Sequence, residues 1–258
     1  MSYAAAFVDL DGTVWRGREA IPGAARGLRA LREAGVPVVL LTNNTGVRRD
    51  EIAARLDGID VDYRGEPVVT ASWATAAYLA EHRPDADVHV LGQDVVEEEL
   101  EAAGLTVTAK GPADVVVAGY DERVSFARLT AALRAFEPGT VFVATNRDRV
   151  TPDPDGLVPG ANAFVSAIEG MVEQDPVVVG KPETRMAELA AGEVDADVDV
   201  HDCLMVGDNL DTDILMGERA GMDTALVLSG VSSREDVAAS DVEPTHVLAD
   251  LGEVETLL

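Results

Sequence analysis

The sequence predicts an α/β protein, a doubly wound parallel sheet with a second α/β unit inserted into it. Three observations carry this. Short apolar runs alternate with segments of helical periodicity. Several of these runs end abruptly in small polar or acidic clusters, as strands do where a parallel sheet presents its C-terminal edge to a ligand. Chain-breaking pairs at Pro84-Asp85 and Asp175-Pro176 bracket a stretch with strands and helices of its own. We therefore expect a core from residues 1–83 and 176–258 and an inserted cap from 84–175.

Taken in order, Ala5 to Val8 is a buried strand that breaks at Asp9-Leu10-Asp11-Gly12-Thr13. Pro22 to Ala34 puts Ala24, Leu28 and Leu31 on one helical face, with Gly35 as a stop. Val38 to Leu41 is a second strand, ending in Thr42-Asn43-Asn44-Thr45-Gly46, and Asp50 to Leu56 is helical. Val68 to Thr70 is a third strand, after which Ser72 is placed to cap a helix through Ala80. Within the insert, Val88 to Leu91, Val115 to Ala118 and Val141 to Ala144 read as strands, and Phe126 to Phe136 and Ala161 to Ile168 as helices. The third of these strands closes in Thr145-Asn146-Arg147-Asp148, and Thr151 to Pro159 reads as a long loop.

Past the insert, Val177 to Val179 reads as a core strand running into Gly180-Lys181-Pro182. A helix to about Ala191 and an acidic loop, Glu193 to Asp199, lead to the strand Cys203 to Val206. That strand delivers Gly207-Asp208-Asn209-Leu210-Asp211-Thr212-Asp213 and then a helix, Ile214 to Ala220, stopped by Gly221. Thr224 to Leu228 and Thr245 to Leu248 are the last strands, with a polar surface helix over Ser232 to Ser240 between them.

Composition limits the function. At 258 residues and 47% hydrophobic, the chain can bury a large core. Its 47 acidic and 20 basic residues give a net charge of −27, which repels nucleic acid and anionic membranes. Lys110 and Lys181 are the only lysines, and so acidic and lysine-poor a composition suits a halophilic protein. The single cysteine, Cys203, excludes an internal disulfide. The N-terminal residues lack a basic leader, and no apolar stretch is long enough to span a bilayer, so a cytoplasmic protein is expected.

Four apolar runs thus end in Asp9/Asp11, Thr42/Asn43, Lys181 and Asp208/Asp213. Carboxylates two residues apart repel one another unless a cation lies between them, and Mg²⁺ takes oxygen ligands of this kind. A hydroxyl, an amide and an ammonium complete the chemistry needed around a transferring phosphoryl group. Asp211 reads better as a helix-capping carboxylate. The histidines lack metal-ligand spacing, Lys110 reads as a surface residue, and Trp15 reads as packing.

In sequence order, Asp9-Leu10-Asp11-Gly12-Thr13, Leu41-Thr42-Asn43-Asn44, Gly180-Lys181-Pro182 and Gly207 to Asp213 resemble the four motifs of the haloacid dehalogenase (HAD) superfamily. The Thr-Asn-Asn form and the long insertion are similar to its NagD and para-nitrophenyl-phosphatase branch. The resemblance implies a Rossmann-like core and a Mg²⁺-dependent phosphomonoesterase acting through an aspartyl phosphate. Its substrate would be a small phosphorylated metabolite of nucleotide, sugar, pyridoxal or glycolate type. It implies Asp9 as nucleophile and Asp11 as the acid–base group. Mg²⁺ would be held by Asp9, Asp208 and Asp11, the last through its backbone carbonyl, with Asp213 and Asn209 supporting them from behind. Thr42, Asn43 and Lys181 would hold the phosphate. Asp121, Asn146 and Asp148 would shape the substrate site in the cap, and a homodimer through the cap is a further expectation. The alternatives are a phospho-accepting signalling domain, against which the long insert speaks, and an inactive phosphate-binding protein, which would not need Asp11.

Overall fold

The computed structural model describes residues 3–153, 156–194 and 198–258. The chain opens with strand β1 (Ala6–Asp9), the short strands β2 (Trp15–Arg16) and β3 (Glu19–Ala20), helix α1 (Ala24–Glu33), β4 (Val38–Thr42), α2 (Arg49–Gly58), β5 (Val68–Thr70) and α3 (Ala71–His82). It continues with β6 (Asp87–Leu91), α4 (Asp94–Ala102), β7 (Thr106–Val107), β8 (Val115–Ala118), α5 (Phe126–Ala135), β9 (Val141–Ala144), β10 (Val150–Asp153), β11 (Gly156–Pro159), α6 (Ala161–Glu169) and β12 (Val177–Val178). It closes with α7 (Thr184–Val194), β13 (Leu204–Gly207), α8 (Leu215–Ala220), β14 (Asp223–Val227), α9 (Arg234–Ala239) and β15 (His246–Leu248). No helix among the described residues is long and apolar enough to cross a membrane.

Two compact units emerge. The first holds residues up to Thr42, Arg49–Val69 and Lys181–Leu258. Among the described residues its sheet has the order β15-β14-β13-β1-β4-β5. Strands β1, β4 and β13 are buried throughout, which is why they read as unbroken apolar runs rather than alternating ones. The parallel register sets Val8 beside both Leu40 and Val206, and Asp9 beside Leu41. Asp9, Thr42 and Asp208 therefore leave the sheet at one edge. Chain order runs outward from β1 in both directions, so β1 is the switch point, where open α/β sheets form their ligand crevice.

The second unit holds Asn43–Arg48 and Thr70–Gly180. Its sheet, parallel throughout, has the order β12-β9-β8-β6-β7. This differs from the expected boundaries in three ways. Residues Asn43–Arg48, read as core, fall in the second unit. Helix α3, read as part of the core, packs on α4 in the second unit. Strand β12, also read as core, pairs with β9 through Val177 and Val143, so the chain reaches Lys181 from the second sheet. A two-residue strand carries no signal of which sheet it joins.

Smaller corrections follow local chemistry. Thr70, not Ser72, caps α3: its Oγ1 accepts the amide of Trp73 at 3.1 Å, and Ser72 lies inside the helix, 2.8 Å from that same oxygen. The expected loop from Thr151 to Pro159 contains the antiparallel pair β10–β11, with residues 154–155 outside the described set. Of the acidic loop from Glu193 to Asp199, the first two residues belong to α7, and residues 195–197, like Met1 and Ser2, lie outside the described residues. The surface helix is present as α9, closed by a capping box between Ser233 and Asp236.

Candidate active site

At the end of β1 the backbone turns at once. The amides of Val14 and Trp15 both reach the Leu10 carbonyl, at 2.9 and 3.0 Å. Gly12 makes this turn possible: its φ is +89°, and a Cβ there would collide with the carboxylate of Asp208. A Cβ on Gly230 would meet the same carboxylate from another side. Two glycines thus leave room for one acidic side chain.

Around that space three buried carboxylates converge. Asp9, Asp208 and Asp213 each offer an oxygen, all within 4.8 Å of one another. The ammonium of Lys181 donates to Asp9 Oδ1 at 2.5 Å and to Asp213 Oδ1 at 2.6 Å. Asp213 is held further by the amide of Asn209, which donates to Oδ2 at 3.1 Å. It lies on a π-helical turn, Leu210–Ile214, that directly precedes α8 and whose N-cap is Asn209, where the sequence predicted only a capped helix. Asp208 Oδ2 accepts the amide of Val231 at 2.6 Å, and its backbone carbonyl accepts that of Ser232 at 3.0 Å.

The electrostatics follow from burial. Burial pushes the Asp9 carboxyl well up; Lys181 opposes this, and Asp213 and Asp208 add to it. Burial, with Asp213 beside it, raises Asp208 to about 7. Burial alone would lower Lys181, but Asp213 and Asp9 hold its ammonium above the ordinary lysine value. One ammonium thus faces three buried carboxyl groups, an excess of acid that a bound cation would neutralise.

That donor set fits a hard divalent cation such as Mg²⁺, which takes oxygen ligands and commonly one or two carboxylates among them. Both oxygens of Asp213 already serve Lys181 and Asn209, so Asp9 and Asp208 are the better ligands.

The other expected residues take definite places. Thr42 is buried at the end of β4, next to β1. Asp11 is exposed, and its Oδ1 accepts the indole N–H of Trp15 at 2.7 Å. Asn43 belongs to the second unit, where its amide donates to Asp148 Oδ1 at 3.0 Å, and its carbonyl accepts the amide of Asn146 at 2.8 Å. Asp121 is fully buried and held by the Arg128 guanidinium at 2.7 Å and the Arg123 amide at 2.9 Å. Sequence reasoning missed the segment Ser229–Ser232, which cradles Asp208 and, through Ser229 Oγ, bonds the Gly12 carbonyl at 2.8 Å. Its signal was present: Ser-Gly-Val-Ser-Ser follows a strand, as the recognised clusters do.

Residues 6–106 match the family model for haloacid dehalogenase-like hydrolases, and residues 178–254 match a HAD-hydrolase-like model. The chain is 36% identical over 252 residues to the 5'-nucleotidase YutF of Bacillus subtilis, covering 98% of this chain and 97% of that one. It is 36% identical over 253 residues to an acid sugar phosphatase of Staphylococcus saprophyticus, with the same coverages. Its structure is similar to that of a p-nitrophenyl phosphatase from Archaeoglobus fulgidus, with a TM-score of 0.92 and 30% identity over all of both chains.

Proposed function

The chain belongs to the haloacid dehalogenase-like hydrolases, in the branch of NagD and the p-nitrophenyl phosphatases, and is a phosphatase; on that footing we propose a Mg²⁺-dependent phosphomonoesterase that works through an aspartyl phosphate on Asp9. The observation that carries this reading is the buried Asp9 carboxylate at the switch point of the sheet, held by Lys181 beside Asp208.

In the first step an Asp9 carboxylate oxygen forms a bond to phosphorus as the bond to the ester oxygen breaks. Asp11 gives its proton to the departing alkoxide, and the product alcohol leaves. In the second step water attacks phosphorus, Asp11 takes its proton, and the acyl phosphate bond breaks to return Asp9 and release phosphate. Lys181 balances the charge on Asp9 and on the phosphoryl oxygens, with Asp213 holding the ammonium in place. Thr42 supplies a hydroxyl to the phosphate. The same role for Asn43 rests on the motif alone, since its amide is taken up by Asp148. Mg²⁺, held by Asp9 and Asp208 with the Asp11 carbonyl, would supply positive charge to the transferring phosphoryl group.

Relatives named 5'-nucleotidase and acid sugar phosphatase support small, polar phosphate monoesters as substrates. We place the choice among them in the second unit, through the segment carrying Asn146 and Asp148. Asp121, fully buried between Arg123 and Arg128, serves the structure of that unit.

The reading is tested by rapid quench with radiolabelled phosphate ester. Label should appear on the protein, be released by hydroxylamine, and be absent from Asp9→Asn, which should also lose multiple turnover. Undiminished turnover in Asp9→Asn, or turnover in wild type that ignores both EDTA and added Mg²⁺, overturns it.

A further inference from the structure

The sequence presents Trp15 as a packing residue, and the ring is indeed buried, at 2% exposure. It also does something a packing residue does not. Its Nε1–H donates to Oδ1 of Asp11 at 2.7 Å. The two residues are bridged by backbone as well, with the Gly12 amide on the Trp15 carbonyl at 2.8 Å. Trp15 itself is fixed in register opposite Ala20 by the β2–β3 pair. Over the ring lies Arg55 of α2, its guanidinium carbon 3.9 Å from the centroid. Arg55 is tied down in turn, donating through Nη2 to the Gly17 carbonyl at the tip of the β2–β3 hairpin. Asp11, Trp15, Gly17 and Arg55 all belong to the first unit.

The direction of the indole bond carries the argument. An indole nitrogen only donates, whereas a carboxyl group can donate from one oxygen when protonated. Oδ1 must therefore be the accepting oxygen in both protonation states of Asp11. The transferable proton is confined to Oδ2. An exposed aspartate lacking such a donor would divide its proton between two oxygens and its side chain among rotamers. The stacked cation fixes the plane of the ring, and with it the direction of the N–H.

We propose that Trp15 and Arg55 are positioning residues for the acid–base step: the indole fixes Asp11 Oδ1 as acceptor and so assigns the proton to Oδ2, and Arg55 holds the indole. This rests on the reading of Asp11 as the acid–base group. In that step the Oδ2–H bond breaks and an O–H bond forms on the leaving alkoxide. On hydrolysis Oδ2 takes a proton back from water, with no other reactant needed.

The test is Trp15→Phe, which keeps a ring beneath Arg55 and deletes the N–H. Turnover is measured on phosphate monoesters whose leaving groups run from p-nitrophenol to simple alcohols. We expect kcat/KM, which reports the leaving-group step, to fall roughly 10- to 100-fold on alkyl phosphates, the scale of misplacing a catalytic group. On p-nitrophenyl phosphate, whose leaving group needs no proton, kcat/KM should stay nearly unchanged, and kcat should fall there only to the extent that hydrolysis of the acyl phosphate, which also uses Asp11, limits turnover. In an Asp11→Asn background Trp15→Phe should add nothing, because the two act as a unit. Arg55→Ala, at a half-exposed position, should give a smaller loss with the same leaving-group dependence, and it carries the test if Trp15→Phe does not fold. Equal losses of kcat/KM on all substrates, or additivity with Asp11→Asn, would make Trp15 a structural residue and overturn the proposal. Separately, if Asp11→Asn itself shows no leaving-group dependence, the acid–base reading of Asp11 fails, and the proposal falls with its premise.

Discussion

Asp208 is a carboxylate in a place where burial and Asp213 both oppose its charge. Its folded-state value of about 7 lies above the ordinary 3.8, so the folded protein holds this proton more tightly than the unfolded chain does. The stability from this group is thus full below the ordinary value and is lost as pH rises through about 7. Above that pH the metal-free protein keeps a costly buried charge, which a bound cation would compensate. Asp208→Asn should therefore move two quantities in opposite directions. In EDTA at pH 8 it should raise the thermal midpoint by a few degrees, a gain that shrinks toward pH 5. It should also raise the Mg²⁺ concentration for half-maximal activity by at least roughly tenfold, since a direct ligand matters no less than an outer one. Thermal scans in EDTA check the first, and a Mg²⁺ titration of turnover checks the second. A variant with lowered metal-free stability and unchanged Mg²⁺ dependence would make Asp208 a structural carboxylate. The sequence singled out Asp208, Asp9, Asp213 and Lys181 because each follows an apolar run. It could not show that Asp11 bonds Trp15, because a hydrogen bond across a turn depends on the turn's geometry and not on residue spacing.

At the scale of elements, legibility tracks how strongly a segment's own chemistry decides its state. Strands β1, β4 and β13, buried on both faces, were plain in the sequence. Helix α4 was not, because Glu97, Glu98 and Glu99 break up its apolar face, and what buries Val95, Val96 and Leu100 is tertiary packing, including that against α3. The β10–β11 pair hides among Pro, Asp and Gly that also signal loops. Strand β6 offers an element-scale prediction. His89 on β6 is nearly buried, with Nδ1 on the Thr108 carbonyl at 3.1 Å, and burial lowers its imidazole below the ordinary 6.5. The unfolded chain therefore binds this proton more readily than the folded one. The stability from neutral His89 is full above the ordinary value and is lost as pH falls below it. The Asp208 contribution has the opposite sign over that range, so the useful quantity is a difference. The gap in thermal midpoint between wild type and His89→Gln should be steady from pH 8 to 7 and should shrink or reverse toward pH 5. A gap that does not change with pH would place the His89 side chain in solvent.

For the whole molecule the dominant quantity is the charge of −27. Salt acts on it in two directions. Screening weakens exposed ion pairs such as Arg48–Glu98, Arg64–Asp62 and Arg123–Asp94, each a small contribution to stability. It also weakens the repulsion among carboxylates, which opposes the compact state. Counting decides which effect is larger. With 47 acidic and 20 basic residues, 27 acids would have no basic partner even if every base were paired. Relief of repulsion should therefore outweigh the loss of pairs, and the thermal midpoint should rise with KCl. The shape of the rise is also constrained. The screening length falls from about 10 Å at 0.1 M to about 3 Å at 1 M, so most of the gain should come below about 1 M. The scans belong in EDTA, because adventitious Mg²⁺ at Asp9 and Asp208 would stabilise the protein by binding and mimic the effect. Choline chloride should act nearly as well as KCl at equal ionic strength, since screening does not distinguish monovalent cations. A midpoint that is flat or falls between 0.05 and 1 M would mean that the ion pairs, not the excess carboxylates, set the electrostatic stability of this fold. A rise with KCl alone would point to bound potassium in place of screening.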